Sequence, residues 1–105
     1  MAYLHKRGIA HRDIKSDNVL LNKYLQVKMI DFGYSHKRRK ESTAEEMSTT
    51  FCGTPTYMAP EIVARKPHCP WKADLWALGI LLYSMFHGHC PFKAHNQKEL
   101  FKKII

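Results

Sequence analysis

The chain has 105 residues, 45% apolar and 25% charged, which is enough to build one small core and argues against wholesale disorder. Seventeen Lys and Arg against nine Asp and Glu leave a net charge of +8, which favours anionic partners such as nucleic acid, phosphate or acidic lipid without choosing among them. Three cysteines, Cys52, Cys69 and Cys90, form no C-x-x-C pair, so a disulfide scaffold is not expected and a reducing compartment is.

Residues 1–8 read as the tail of a helix with Leu4 on its apolar side, closed by Gly8. No secretory leader is expected, because Met1–Asp13 has no apolar run. Val19-Leu20-Leu21 and Leu25–Ile30 predict two short strands around a turn at Asn22-Lys23-Tyr24. Residues 34–50 are polar, carry the run His36-Lys37-Arg38-Arg39-Lys40 and lack periodicity. They predict a structureless loop, and a loop of that length is usually functional or mobile. Pro70 can open a helix, and Trp71–Phe86 is apolar nearly all round, as a buried central helix would be. It is too short to span a membrane. A last helix is expected over Asn96–Ile105, capped by Asn96 with Glu99 three residues on.

Three motifs carry chemistry. Residues 11–18 read H-R-D-I-K-S-D-N, residues 31–33 read D-F-G and residues 59–61 read A-P-E. Each alone is weak. All three in this order, with a strand pair between the first two, resemble the protein kinase catalytic domain. The fold this implies is α+β, mostly α. Residues 1–105 would form a partial kinase-like C-lobe with one short β-hairpin.

The resemblance implies roles residue by residue. Asp13 would hold the substrate hydroxyl and accept its proton, and Lys15 would reach the transferring phosphate as a point charge. Asn18 and Asp31 would supply hard oxygen ligands for Mg²⁺. Leu20 would lie under the adenine ring of ATP. His11 and Phe32 would stack to align the catalytic loop with the metal loop, where Gly33 completes D-F-G. Asp74, a carboxylate in an apolar helix, would accept backbone N–H groups of the H-R-D loop. Lys15 and the segment Gly53-Thr54-Pro55-Thr56-Tyr57 look like the Ser/Thr type, with the Thr54 hydroxyl bonding Asp13 and Lys15. The stretch T-F-C-G-T-P-T-Y-M-A-P-E looks most like calcium/calmodulin-dependent and neighbouring kinase groups. Arg12 next to Asp13 implies a phosphate switch, and Thr50, four residues before Thr54, is the expected site, with Thr49, Ser48 and Thr43 as competitors. His36 and Lys37 would give that phosphate a second basic contact, and without it the loop should stay mobile.

The sequence also departs from the family pattern. No G-x-G-x-x-G loop is present. Val63-Ala64-Arg65-Lys66 imitates the strand that carries the ATP lysine, but it follows A-P-E and is rejected for that reason. Glu61 normally pairs with a downstream Arg that this sequence does not reach, so a truncated fragment without an N-lobe or the C-terminal helices is expected. Where basophilic relatives often read Y-E-M, this chain reads Tyr83-Ser84-Met85, which implies a weaker preference for Arg before the target. His87-Gly88-His89-Cys90 fits no closed metal pattern. Expected partners are ATP and a protein bearing a Ser or Thr acceptor, with no nucleic acid and no membrane, in the cytoplasm or nucleus. Two rival readings remain at this stage: an inactive pseudokinase-like binding module, and a basic nucleic-acid binder, the latter weakened because no aromatics interleave the basic run.

Overall fold

A computed structural model describes residues 1–41 and 45–105. Thr43, one competitor for the phosphate, lies outside the described residues. The chain forms helix α1 (Ala2–Lys6), strands β1 (Ile9–Ala10), β2 (Val19–Leu21), β3 (Val27–Met29) and β4 (His36–Lys37), then helices α2 (Pro60–Val63), α3 (Pro70–His87) and α4 (Gln97–Ile104). Single 3-10 turns lie at Ser16–Asn18 and Pro55–Tyr57.

The predicted hairpin is β2–β3, with Val19 opposite Met29 and Leu21 opposite Val27. Its turn is tighter than the sequence suggested. Asn22 Oδ1 accepts from the amides of Tyr24 (2.9 Å) and Gln26 (3.0 Å), and Leu25 sits at φ 61°. This Asx-type turn takes Leu25 and Gln26 out of the expected second strand.

A second antiparallel pair was not foreseen: β1 with β4, Ala10 opposite His36. It draws the start of the segment 34–50 back beside the H-R-D loop. Gly8, at φ +72°, brings its carbonyl 2.7 Å from the Arg38 amide, and a Cβ there would stand 3.1 Å from Arg38 Cβ. Farther along, Ser48 and His68 exchange backbone hydrogen bonds of 2.7 and 2.9 Å. The described part of the segment is therefore not the structureless loop its composition predicts. Two of its basic side chains have partners: His36 bonds Glu46 of the same segment and stands edge-on to Trp71, and the Arg38 guanidinium lies over that indole.

Two cores flank α3. Ile14, Ala77 and Leu81 form one with Val19 and Met29 against it. Met58, Ala59, Ile62, Val63, Leu100 and Ile104 form the other. Helix α3 starts with Pro70 at its first turn and ends at Gly88 (φ 74°), whose amide bonds the Ser84 carbonyl at 2.8 Å. Its buried residues are Pro70, Trp71, Asp74, Ala77, Ile80 and Leu81, a stripe at helical spacing. The expectation of burial all round fails on the opposite face. Leu75, Leu82 and Met85 are exposed and Phe86 is 84% exposed. No other described element covers that face, and beside it an apolar groove of about 550 Å³ opens between α3 and the β2–β3 hairpin.

The rejected Val63-Ala64-Arg65-Lys66 stretch is the end of α2 and a turn, with Arg65 at φ 55°. Helix α4 carries the predicted cap: Asn96 Oδ1 accepts from the Glu99 amide at 2.9 Å. The Glu99 carboxylate pairs with Lys102 at 3.5 Å.

Candidate active site

Strand β1 delivers the chain into residues 11–18 with one backbone departure. Arg12 has φ 66°, a strained value for a side-chain-bearing residue, and Asp13 follows at 7% exposure. The strain is held by Asp74, which is 1% exposed and accepts from the amides of His11 (2.8 Å) and Arg12 (2.9 Å). His5 Nε2 adds a third contact at 3.0 Å. Both amides belong to the H-R-D loop, the segment whose N–H groups the resemblance implied Asp74 would meet. The participation of His5 was missed, because a contact spanning 69 residues leaves no local signal.

Asp13 is surrounded on both oxygens. Its Oδ1 accepts from the Thr54 hydroxyl at 2.8 Å, and its Oδ2 lies 3.3 Å from Asn18 Nδ2 and 4.0 Å from Lys15 Nζ. Asn18 Nδ2 also donates to the Asp13 carbonyl at 2.8 Å. Thr54 bonds Asp13, and a bond from it to Lys15 is not among the described contacts. Gly53 permits this approach: at φ +113° it passes so near the catalytic loop that a Cβ would stand 3.1 Å from the Arg12 carbonyl.

His11 links the catalytic loop to D-F-G by more than stacking. The Asp13 amide donates to its Nδ1 (3.2 Å), so its proton sits on Nε2, which donates to the Ile30 carbonyl (2.8 Å). The Ile30 amide in turn donates to the Asn18 carbonyl at 2.9 Å. Phe32 meets the His11 ring edge-on at 4.9 Å. Asp31, at φ 57°, is exposed, and its Oδ1 accepts from the Gly33 amide at 3.2 Å.

This donor set fits a hard cation. Asn18 commits its nitrogen to Asp13 and keeps its amide oxygen. Asp31 offers an exposed carboxylate on the segment hydrogen-bonded to Asn18. Mg²⁺ takes few protein oxygens and leaves the rest of its shell to phosphate and water. Among the described residues no cluster of three or more His, Cys, Asp or Glu forms, so a closed cage of side chains is not on offer. Leu20 is exposed in the middle of β2, where strand alternation sets it on the opposite face from Val19 and Leu21, which line the groove toward α3.

The remaining predicted residues are dispersed. Arg12 Nε donates to the Tyr34 carbonyl. Thr50 is exposed, and its amide donates to Ser48 Oγ at 3.1 Å. Glu61 is exposed and has no ion pair among the described residues. His36, which the resemblance sets with Lys37 as a second basic contact for a phosphate, bonds Glu46 at 2.9 Å. Ser84 turns its hydroxyl back to the Ile80 carbonyl (2.9 Å). His87 stacks on Tyr83 at 4.0 Å between ring centroids, with His89 edge-on to the same ring. Cys52 is buried behind Asp13, and burial pushes its thiol pKa up.

A family model described as the protein kinase domain matches residues 1–105. The chain is 39% identical over its full length to serine/threonine-protein kinase kin-29 of Caenorhabditis elegans, and 45% identical over its full length to protein kinase C eta type of Mus musculus. Over 97% of its length it is 40% identical to CBL-interacting serine/threonine-protein kinase 15 of Arabidopsis thaliana. It spans 12%, 15% and 24% of those three relatives. Relatives so varied do not single out a calcium/calmodulin-dependent group, and the match does not favour the binding-module or nucleic-acid readings. With the family match covering every residue, the chain belongs to the protein kinase family.

Proposed function

We propose that the protein transfers the γ-phosphate of ATP to Ser or Thr hydroxyls of protein substrates. The observation that carries this reading is Asp13, a buried carboxylate fixed by Thr54 and Asn18 with the Lys15 ammonium 4.0 Å away. ATP bound with Mg²⁺ would supply the transferable phosphoryl group and its leaving group. Asp13 orients the acceptor hydroxyl and takes its proton on the carboxylate. Lys15 sets a positive charge beside that acceptor, where negative charge gathers during transfer. Asn18 and Asp31 would hold the metal, and Leu20 would lie against the adenine ring. Lys15 and the Thr54–Asp13 hydrogen bond support Ser/Thr acceptors.

We also infer that phosphorylation at Thr50 regulates this site. Thr50 is exposed, and Arg12 offers its guanidinium as the fork for a phosphate that brings about −1.5 to −2 charges. Three free thiols support a reducing, cytoplasmic or nuclear setting. Among the described residues no helix is long and apolar enough to cross a membrane.

The test is the Asp13→Asn variant of the intact protein. Phosphoryl transfer should fall by 10² to 10⁴, the usual weight of a positioned base, while affinity for an ATP analogue stays within about twofold. Retained transfer in that variant rejects the assignment.

A further inference from the structure

In the described part of the segment between D-F-G and Thr50, the Glu46 carboxylate makes two of the ties. Glu46 uses both oxygens: Oε2 meets His36 Nε2 at 2.9 Å, and Oε1 accepts from the Arg39 amide at 3.0 Å. Its side chain is only 16% exposed. The basic run it faces is seated on α3. The His36 ring stands edge-on to Trp71, with centroids 5.9 Å apart, and the Arg38 guanidinium lies 4.5 Å from the same indole centroid. Two further ties follow in the chain. Glu45 pairs with Lys72 of α3 at 2.7 Å, and the Ser48–His68 exchange anchors the backbone just before Thr49 and Thr50.

We propose that Glu46 fills an anion seat made by His36 and the Arg39 amide, and so docks the first half of this segment onto β4 and α3 before any phosphate is present. The inference rests on reading residues 34–54 as a kinase activation segment with Thr50 as its phosphate acceptor. It changes what that phosphate does. His36 is already engaged, so a phosphate on Thr50 meets Arg12 without it, or must displace Glu46 to reach it. The effect of the seat on catalysis runs through the backbone: His36 pairs with Ala10, one residue before His11. Glu46 is thus a positioning residue. The Glu46 carboxyl is held below its ordinary range by the His36 hydrogen bond first and the Arg39 amide second, which agrees with an anion seated there at neutral pH.

Trypsin cleavage after Lys37, Arg38, Arg39 and Lys40 in the phosphatase-treated intact protein reads this docking. Glu46→Ala should be cut about fivefold faster than wild type or more, as expected when a charge-assisted contact holding a local segment is lost. His36→Ala should match it, and the double variant should be no faster than either single, because both remove one contact. His36→Gln keeps an N–H donor and should remain near the wild-type rate. This pair carries the test if Glu46→Ala does not fold. Thr50→Ala should be cut at the wild-type rate whatever its kinase activity, and full activity in that variant would count against the Thr50 reading alone. Wild-type cleavage rates in both Glu46→Ala and His36→Ala overturn the proposal. So does phosphatase treatment that by itself brings wild type up to the Glu46→Ala rate.

Discussion

Asp74 decides the shape of the catalytic loop although it touches no reacting group. Its carboxylate is 1% exposed and accepts two backbone amides where Arg12 stands at φ 66°. Asparagine in its place can accept one of these bonds, while its NH₂ faces the other N–H. Asp74→Asn should therefore cost about 2–3 kcal/mol in chemical denaturation. It should also lower transfer in the intact protein, because the Arg12–Asp13 backbone relaxes. A loss below about 0.5 kcal/mol would show that the loop keeps its geometry by other means. The acidic pair at 45 and 46 makes a second residue-level prediction. Glu45 is lowered chiefly by its hydrogen bond with Lys72, and Glu46 by its bond with His36. A carboxylate whose folded pKa lies below its unfolded one contributes stability above the unfolded value, and loses it as pH falls through the folded value. Docking of the segment should thus hold at neutral pH, start to weaken as pH enters the ordinary carboxylate range of roughly 4–4.5, and be lost only below it. Trp71 fluorescence in a Trp76→Phe background should report the change, because His36 and Arg38 both lie against that indole. A signal flat from pH 7 to 3 would exclude these carboxylates as the holding groups.

Among the elements, α4 shows a local rule working as written. Asn96 caps it through the Glu99 amide, and Leu100 and Ile104, one turn apart, enter the core with Met58 and Ile62. Asn96→Ala should lower stability by about 1 kcal/mol. For a domain near 100 residues that is a fall in Tm of roughly 4–8 °C. An unchanged melting curve would mean that α4 is frayed at this end. Helix α3 is the contrasting case. Its composition is apolar on every side, but its partners cover only the stripe from Trp71 through Asp74, Ala77 and Leu81.

At the scale of the whole molecule, the described residues form a slab of 43 × 40 × 20 Å. Its thin dimension is about two layers, and the exposed Leu82, Met85 and Phe86 border the groove beside the hairpin. An open apolar face of this kind promotes association. The 105-residue polypeptide alone should therefore sediment as more than a monomer at micromolar concentration, and Leu82→Lys with Phe86→Lys should shift it toward monomer. The same polypeptide carries no glycine-rich phosphate loop in its sequence. It should turn over Mg-ATP far below the roughly 1–100 s⁻¹ usual for kinases, since positioning carries most of the rate. A monomer with ordinary turnover would contradict both expectations.

What the sequence determined by itself was the family and the local signals. H-R-D, D-F-G and A-P-E named Asp13, Lys15, Asn18 and Asp31 at fixed spacing. Asn96, Gly8 and Pro70 marked helix ends by rules that act within a few residues. Asp74 was legible too, because a carboxylate in an apolar helix must find donors. Tertiary structure decided the rest, and each such case is a contact between distant segments. His5 reaches Asp74, the proton on His11 Nε2 is fixed by the Ile30 carbonyl, and β4 finds β1. The basic run at 36–40 looked self-repelling in isolation. In the fold, Glu46 bonds His36 and the Trp71 indole lies against Arg38, partners that composition could not reveal. Side-chain periodicity reports which faces can be buried. Which of them are buried depends on the surfaces that arrive from elsewhere in the chain, and one face of α3 meets none among the described residues.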